Sequence, residues 1–142
     1  VYYGDEAGVC GWTDPDNRRT YPWGHEDKQM LQFHKEAIRI HKSSTALCTG
    51  SYKMLYTAWG ILGYGRFDKN ERYAVIVNNT QETVNVAVPV WQIGVADGSR
   101  MEHQLMSVAE SFTKVPDIYV VTDGYLMVAM PRTSAVILKD IG

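Results

Sequence analysis

The residues able to do chemistry crowd into the first 23 positions, VYYGDEAGVCGWTDPDNRRTYPW. Asp5 and Glu6 follow Gly4, and a loop bearing Gly8 and Gly11 leads to Asp14-Pro15-Asp16-Asn17-Arg18-Arg19, with Trp12, Tyr21 and Trp23 around it. Two adjacent carboxylates invite a role in acid/base catalysis. Consecutive residues leaving a strand point in opposite directions, however, so Asp5 and Glu6 cannot easily face one bond, and they read better as anchors of the loop. Asp14 and Arg18 stand four residues apart across a turn that Pro15 stiffens, so an acceptor carboxylate and a planar, donating guanidinium can face each other. The plainer reading is a surface pair that only steadies its own loop. Trp12 and Tyr21 could offer flat faces to sugar rings, whereas Trp23, beside Pro22, is expected to pack under the loop. Arg19 is read as a solvated charge.

Composition limits the alternatives. A chain of 142 residues, 45% of them hydrophobic, can bury one adequate core with a short appendage. With 14 basic and 16 acidic residues the formal net charge is -2, and there is no basic cluster to follow phosphates or an anionic membrane surface. Neither nucleic acid nor membrane is an expected partner, and no apolar run nears the roughly 18 residues of a membrane span. Cys10 and Cys48 lack CxxC spacing and read as two unpaired thiols. His34 and His41 lie two turns apart on one helix face without an HExxH pattern, so they read as partly buried packing residues rather than metal ligands. No metal site or cofactor is expected. Asn78-Asn79-Thr80 contains an Asn-x-Thr match that matters only in a glycosylating secretory route. The chain opens on Val, so an internal start is expected, and the compartment stays open, with the cytoplasm ahead of secretion.

The positioning elements follow in order. After Pro22-Trp23-Gly24, the residues Met30, Leu31, His34, Ala37, Ile38 and His41 recur at helical spacing, which predicts one amphipathic helix over about 26–43 with His25, Glu26 and Asp27 in or near its first turn. Past Thr45 the period becomes two. Strands are expected at 52–56, 61–67, 73–78, 83–88, 101–106, 119–121, 125–130 and 134–138, with 68–71 closing a hairpin and 108–117 a connection. About eight short strands joined by frequent turns predict an antiparallel β-sandwich, so the fold class is mainly β, preceded by one helix.

Tyr2-Tyr3-Gly4-Asp5-Glu6 followed by the Asp14-Pro15-Asp16-Asn17-Arg18 loop resembles the end of the catalytic barrel in the α-amylase family of glycoside hydrolases, most closely its neopullulanase and cyclomaltodextrinase branch. There this loop follows the eighth barrel strand. The helix, the Gly-Ser-Tyr entry strand, the Asn-Asn-Thr turn and the Ala-Val-Ile-Leu final strand resemble that family's C-terminal sandwich. The resemblance implies that residues 1–44 are a remnant of the (β/α)8 barrel, namely its last strand, loop and helix, and that residues 45–142 are the C-terminal domain. It implies a parent that hydrolyses α-1,4 or α-1,6 glucosidic bonds, with an α-glucan or maltooligosaccharide as substrate. Retaining glycosidases need two carboxylates about 5 Å apart, and in the family these come from earlier strands, so no catalytic residue is carried over. Asp14 and Arg18 are implied to contact glucose hydroxyls at the barrel mouth. Val1 to Tyr3, cut from sister strands, is expected to be loose. The alternative is an independent carbohydrate-binding module using Trp59, Tyr64 or Trp91 as an aromatic platform.

Overall fold

The computed structural model describes residues 2–142. It divides into two compact units, one reaching Arg39 and the other spanning Ile40–Gly142. No helix among the described residues is long and apolar enough to cross a membrane.

The first unit is mostly loop. Single turns of 3-10 helix cover Asp5–Ala7 and Asp16–Arg18. Residues 1–3, which the resemblance makes a barrel strand in the parent and which were expected to be loose here, form no strand where they are described: Tyr2 and Tyr3 lie in coil and turn, and Val1 falls outside the described residues. A strand needs a neighbour to satisfy its backbone groups. Here the Asp5 carboxylate takes that place for Tyr2, accepting its N–H at 2.7 Å. Because Asp5 and Glu6 sit in a helical turn, the argument from strand alternation does not apply to them, although Asp5 does anchor the loop. Gly4 adopts φ 86°, and a Cβ there would come within 2.8 Å of the Val9 side chain, so this tight reversal requires glycine.

Helix α1 covers Lys28–Lys42. It begins two residues later than the periodicity suggests because Asp27 caps it: one carboxylate oxygen accepts the N–H of Gln29 at 2.9 Å and of Met30 at 3.0 Å. Such a cap contributes about 1 kcal/mol. The acidic residues therefore precede the first turn rather than occupy it. Of the expected apolar face, Leu31, His34 and Ala37 are half-buried, while Met30, Ile38 and His41 are exposed. His41 is thus not the packing residue it was expected to be.

Beyond the end of α1, the second unit holds a helix that period-two reading misses. Helix α2, Thr45–Thr49, is capped by Ser44, whose hydroxyl accepts the Leu47 N–H at 3.2 Å. Among the described residues nine strands follow: β1 (Ser51–Ala58), β2 (Ile61–Phe67), β3 (Arg72–Asn78), β4 (Val84–Val88), β5 (Arg100–Val108), β6 (Ser111–Thr113), β7 (Ile118–Val120), β8 (Leu126–Met130) and β9 (Ser134–Asp140). All pairings are antiparallel. The larger sheet runs β1-β2-β3-β9-β5-β6, with β7 also on β5, and the smaller pairs β4 with β8. Only β6 lies in a stretch expected to be a connection. Its three residues return along β5 through Val108 and Ser111, too short a run to display an alternation.

Alternation then builds the core. Ala74 and Ile76 of β3, Met101 of β5, and Val136 and Leu138 of β9 belong to one buried cluster with Val86 and Val88 of β4 and Leu126, Val128 and Met130 of β8. Each such aliphatic side chain stabilises the fold by about 1.5–3 kcal/mol. The 3-10 turn Val90–Ile93 adds Val90 and Ile93 to it. Gly65 on β2 makes room for the latter, since a Cβ there would lie 2.7 Å from the Ile93 side chain.

One polar group is fully committed inside. Asn78 is buried, and its Nδ2 donates to the carbonyls of Glu82 at 2.9 Å, Met130 at 3.2 Å and Pro131 at 2.8 Å. Its Oδ1 accepts the Thr80 N–H at 2.9 Å and the Thr80 hydroxyl at 2.8 Å. The Asn-x-Thr match is therefore a structural knot joining β3, the following turn and the end of β8.

Candidate functional site

The loop carrying Asp14 and Arg18 is closed by backbone geometry before any side chain acts. At Gly11 a Cβ would stand 2.6 Å from the Cα of Asn17 and 2.8 Å from the Asp16 carbonyl oxygen, so only glycine permits this crossing of the chain. The Asp16 N–H donates to Thr13 at 2.9 Å and the Arg18 N–H to Pro15 at 3.0 Å, which forms the 3-10 turn.

Asp14 and Arg18 meet as the sequence suggested they could. Nε of Arg18 lies 2.7 Å from Oδ1 of Asp14, and Nη2 donates to Oδ2 at 3.0 Å. This is a two-pronged, planar contact. The side chains are 70% and 59% exposed, and an ion pair so open to water adds little to stability. Its chemical capacity is a better guide. A guanidinium has five N–H donors and each carboxylate oxygen has a second lone pair, so the pair keeps donors and acceptors for hydroxyl groups after satisfying itself.

Arg19 is solvated, as the sequence suggested, with its side chain 56% exposed, but it is also paired. Its Nε and Nη2 donate to Oδ1 of Asp16 at 3.0 and 2.7 Å, while Oδ2 of Asp16 accepts the Trp12 N–H at 3.0 Å. The Arg19 hydrogen bonds, and after them the Trp12 amide, hold the Asp16 carboxyl below the usual carboxylate range. Sequence reasoning passed over Asp16. The signal was its three-residue spacing from Arg19, which parallels the four-residue spacing of Asp14 and Arg18.

A cleft of about 410 Å³ adjoins the loop, lined by Tyr2, Tyr3, Asp5, Val9, Gly11 and Asn17. Asp14 and Arg18 are not among its walls. The link between cleft and loop is Tyr3, whose hydroxyl donates to the Arg19 carbonyl at 2.8 Å. Trp12 is 84% exposed. Trp23 does not pack under the loop but is also largely exposed, its ring 4.5 Å from that of Tyr21. The Tyr21 phenol is pushed up by desolvation and then by the nearby charges of Glu6 and Glu26.

The remaining candidates are dispersed. Cys10 and Cys48 are both free, and His34 has its Nδ1 at 3.0 Å from the Met30 carbonyl of its own helix. Trp59 stands in the turn joining β1 to β2, next to Gly60, whose carbonyl accepts the Asn79 N–H at 2.7 Å. Trp91 donates its N–H to the Gly124 carbonyl at 3.1 Å. These belong to opposite ends of the sandwich: β4 and β8 pair at Val84 and Met130 near Asn78, and at Val88 and Leu126 near Gly124. Strands of this length separate the two ends by more than 10 Å. Tyr64 lies within β2, its ring 5.4 Å from that of Tyr52. The three do not make one platform.

No protein-family model matches the chain. It is 31% identical over 153 residues to an amylopullulanase of Thermoanaerobacter thermohydrosulfuricus, an alignment covering 100% of this chain and 10% of the relative. It is 34% identical over 84 residues to a cyclomaltodextrinase of Thermoanaerobacter pseudethanolicus (strain ATCC 33223 / 39E), covering 58% of this chain and 15% of the relative. The chain thus spans about a tenth of the amylopullulanase's length. Among solved structures it is similar to the α-amylase of Geobacillus thermoleovorans in complex with acarbose, with TM-score 0.81 and 22% identity, covering 99% of this chain and 29% of that one. An Anoxybacillus α-amylase gives TM-score 0.80 at 23% identity, covering 98% of this chain and 28% of that one. At such identity these structures speak to the fold: a mainly β, antiparallel domain like the C-terminal sandwich of α-amylases.

Proposed function

We propose that this chain, which is homologous to a small C-terminal part of α-amylase-family glycoside hydrolases, serves a longer enzyme that hydrolyses α-1,4 or α-1,6 bonds of an α-glucan. Residues 1–44 would complete the catalytic barrel with its last loop and helix, and residues 45–142 form the domain that follows. The chain itself supplies substrate contacts and a stable support rather than the carboxylates that break the bond. Asp14 and Arg18 hold glucose hydroxyls at the barrel mouth.

The observation that carries this reading is the exposed, two-pronged Asp14–Arg18 pair on a loop that glycine and proline make rigid. Its donors and acceptors are oriented before substrate arrives, so binding costs less entropy. The experiment is steady-state kinetics of the parent enzyme with Asp14→Ala and Arg18→Ala. Weakened use of longer maltooligosaccharides in a folded protein is the expected result, and unchanged kinetics in both variants would remove the pair from the site.

A further inference from the structure

Asp16 binds together more of the loop than either residue proposed to touch substrate. Its Oδ2 accepts the Trp12 N–H at 3.0 Å, and its Oδ1 accepts Nε and Nη2 of Arg19 at 3.0 and 2.7 Å. One carboxylate therefore bridges residues 12 and 19, the two ends of the segment that displays Asp14 and Arg18. The clamp extends one step further, because the Arg19 carbonyl accepts the Tyr3 hydroxyl at 2.8 Å.

We propose that Asp16, acting through Arg19 and the Trp12 amide, is a positioning residue that holds the Asp14–Arg18 pair in the orientation that meets substrate hydroxyls. This rests on the reading of Asp14 and Arg18 as substrate contacts. Asp16 and Arg19 themselves are turned to each other, and the Asp16 carboxylate already accepts three hydrogen bonds against the two that Asp14 accepts from Arg18, so it keeps less acceptor capacity for sugar and its role is assigned to shaping the loop. The Asp16–Arg19 side chains are 46% and 56% exposed, and an ion pair that open contributes little to global stability. Its loss therefore loosens the loop and leaves the fold in place. A substrate pair that must be ordered during binding gives up affinity, because that ordering is then charged against the complex.

The test is kinetic, in the intact parent enzyme, with Asp16→Ala, Arg19→Ala, their double variant and Asp14→Ala compared on maltooligosaccharides of increasing length. Each of the two clamp variants is expected to raise KM for the longer substrates roughly 3- to 10-fold with kcat within about twofold. The double variant should be no worse than the poorer single one, because both remove the same clamp. Asp16→Asn, which keeps an acceptor for Trp12 but loses the charge facing Arg19, should fall between Asp16→Ala and the parent. Should Asp16→Ala fail to fold, Arg19→Gln carries the test, since it spares the Trp12 bond. A raised KM in Asp14→Ala with no change in the clamp variants overturns the positioning role alone. No change in Asp14→Ala overturns the substrate-contact reading and the clamp with it. Additive losses in the double variant, or a fall in kcat at constant KM, overturn the coupling.

Discussion

Lys139 on β9 donates from Nζ to Oε1 of Glu71 at 2.7 Å, while Oε2 of the same carboxylate accepts the Ser44 hydroxyl at 2.6 Å. Residues 44, 71 and 139 are thereby joined on one carboxylate. The Lys139 hydrogen bond, followed by that of Ser44, holds the Glu71 carboxyl below its ordinary value near 4.5, and Glu71 in turn raises Lys139 above its ordinary 10.5. These are two views of one interaction. For Glu71 the stabilisation is complete above its unfolded value and is lost as pH falls through the lower folded one. For Lys139 it is complete below about 10.5 and is lost as pH rises through the higher folded value.

Glu71→Gln should therefore cost stability at pH 7 and cost less as pH falls from about 4.5, where the unfolded chain begins to take up the proton, through the lower value at which the folded carboxylate does so. Because both side chains are partly exposed, the loss at pH 7 is of order 1 kcal/mol. Urea denaturation at pH 7 and at pH 3 measures it, and equal losses at the two values would contradict the assignment.

Asn78→Ala should cost about 2–4 kcal/mol, because three carbonyls at the end of the sandwich lose their common donor in a buried place. The expected result is a clear drop in the urea midpoint with an unchanged slope. A variant as stable as the parent would mean that water replaces the amide.

Gly65→Ala places a methyl group against Ile93 and should cost about 1–3 kcal/mol through overpacking. Trp59→Ala, at a position 96% exposed, should change stability by less than about 0.5 kcal/mol. Thermal unfolding of the two variants side by side checks the contrast, and a reversed order would place Trp59 rather than Gly65 in a packed environment.

The 142-residue chain alone should release no reducing sugar from maltooligosaccharide and should not be retained on starch. The divergence of Trp59, Tyr64 and Trp91 leads to the second expectation. Micromolar retention on starch would revive an independent binding module.

Much of the fold was legible because strands with one wet face repeat at two. Val84, Val86 and Val88, and Leu126, Val128 and Met130, alternate with more exposed neighbours as that rule requires. Helix α2 was not legible: five residues cannot display a helical period, and Ser44 declares itself as a cap only once Leu47 has turned back toward it. The exposure of Met30 and Ile38 was equally hidden. Periodicity tells which residues share a helix face, and burial depends on what the rest of the molecule brings to that face.

In the loop, the spacing of Asp14 and Arg18 already allowed the pair that forms, since a four-residue reach across a turn is a local property. The spacing of Asp16 from Arg19 was visible in the sequence, but which neighbours its two oxygens take was decided by the folded loop. Its partners Trp12 and Arg19, and the tie from Arg19 to Tyr3, come from a chain path that closes on itself at Gly11. The sequence by itself determined the alternation, the turns and the reach of Asp14 to Arg18. Sheet membership, the Asn78 knot and the clamp beneath that pair belong to the folded chain, because a hydrogen bond is satisfied by whichever group the fold brings within 3 Å of it.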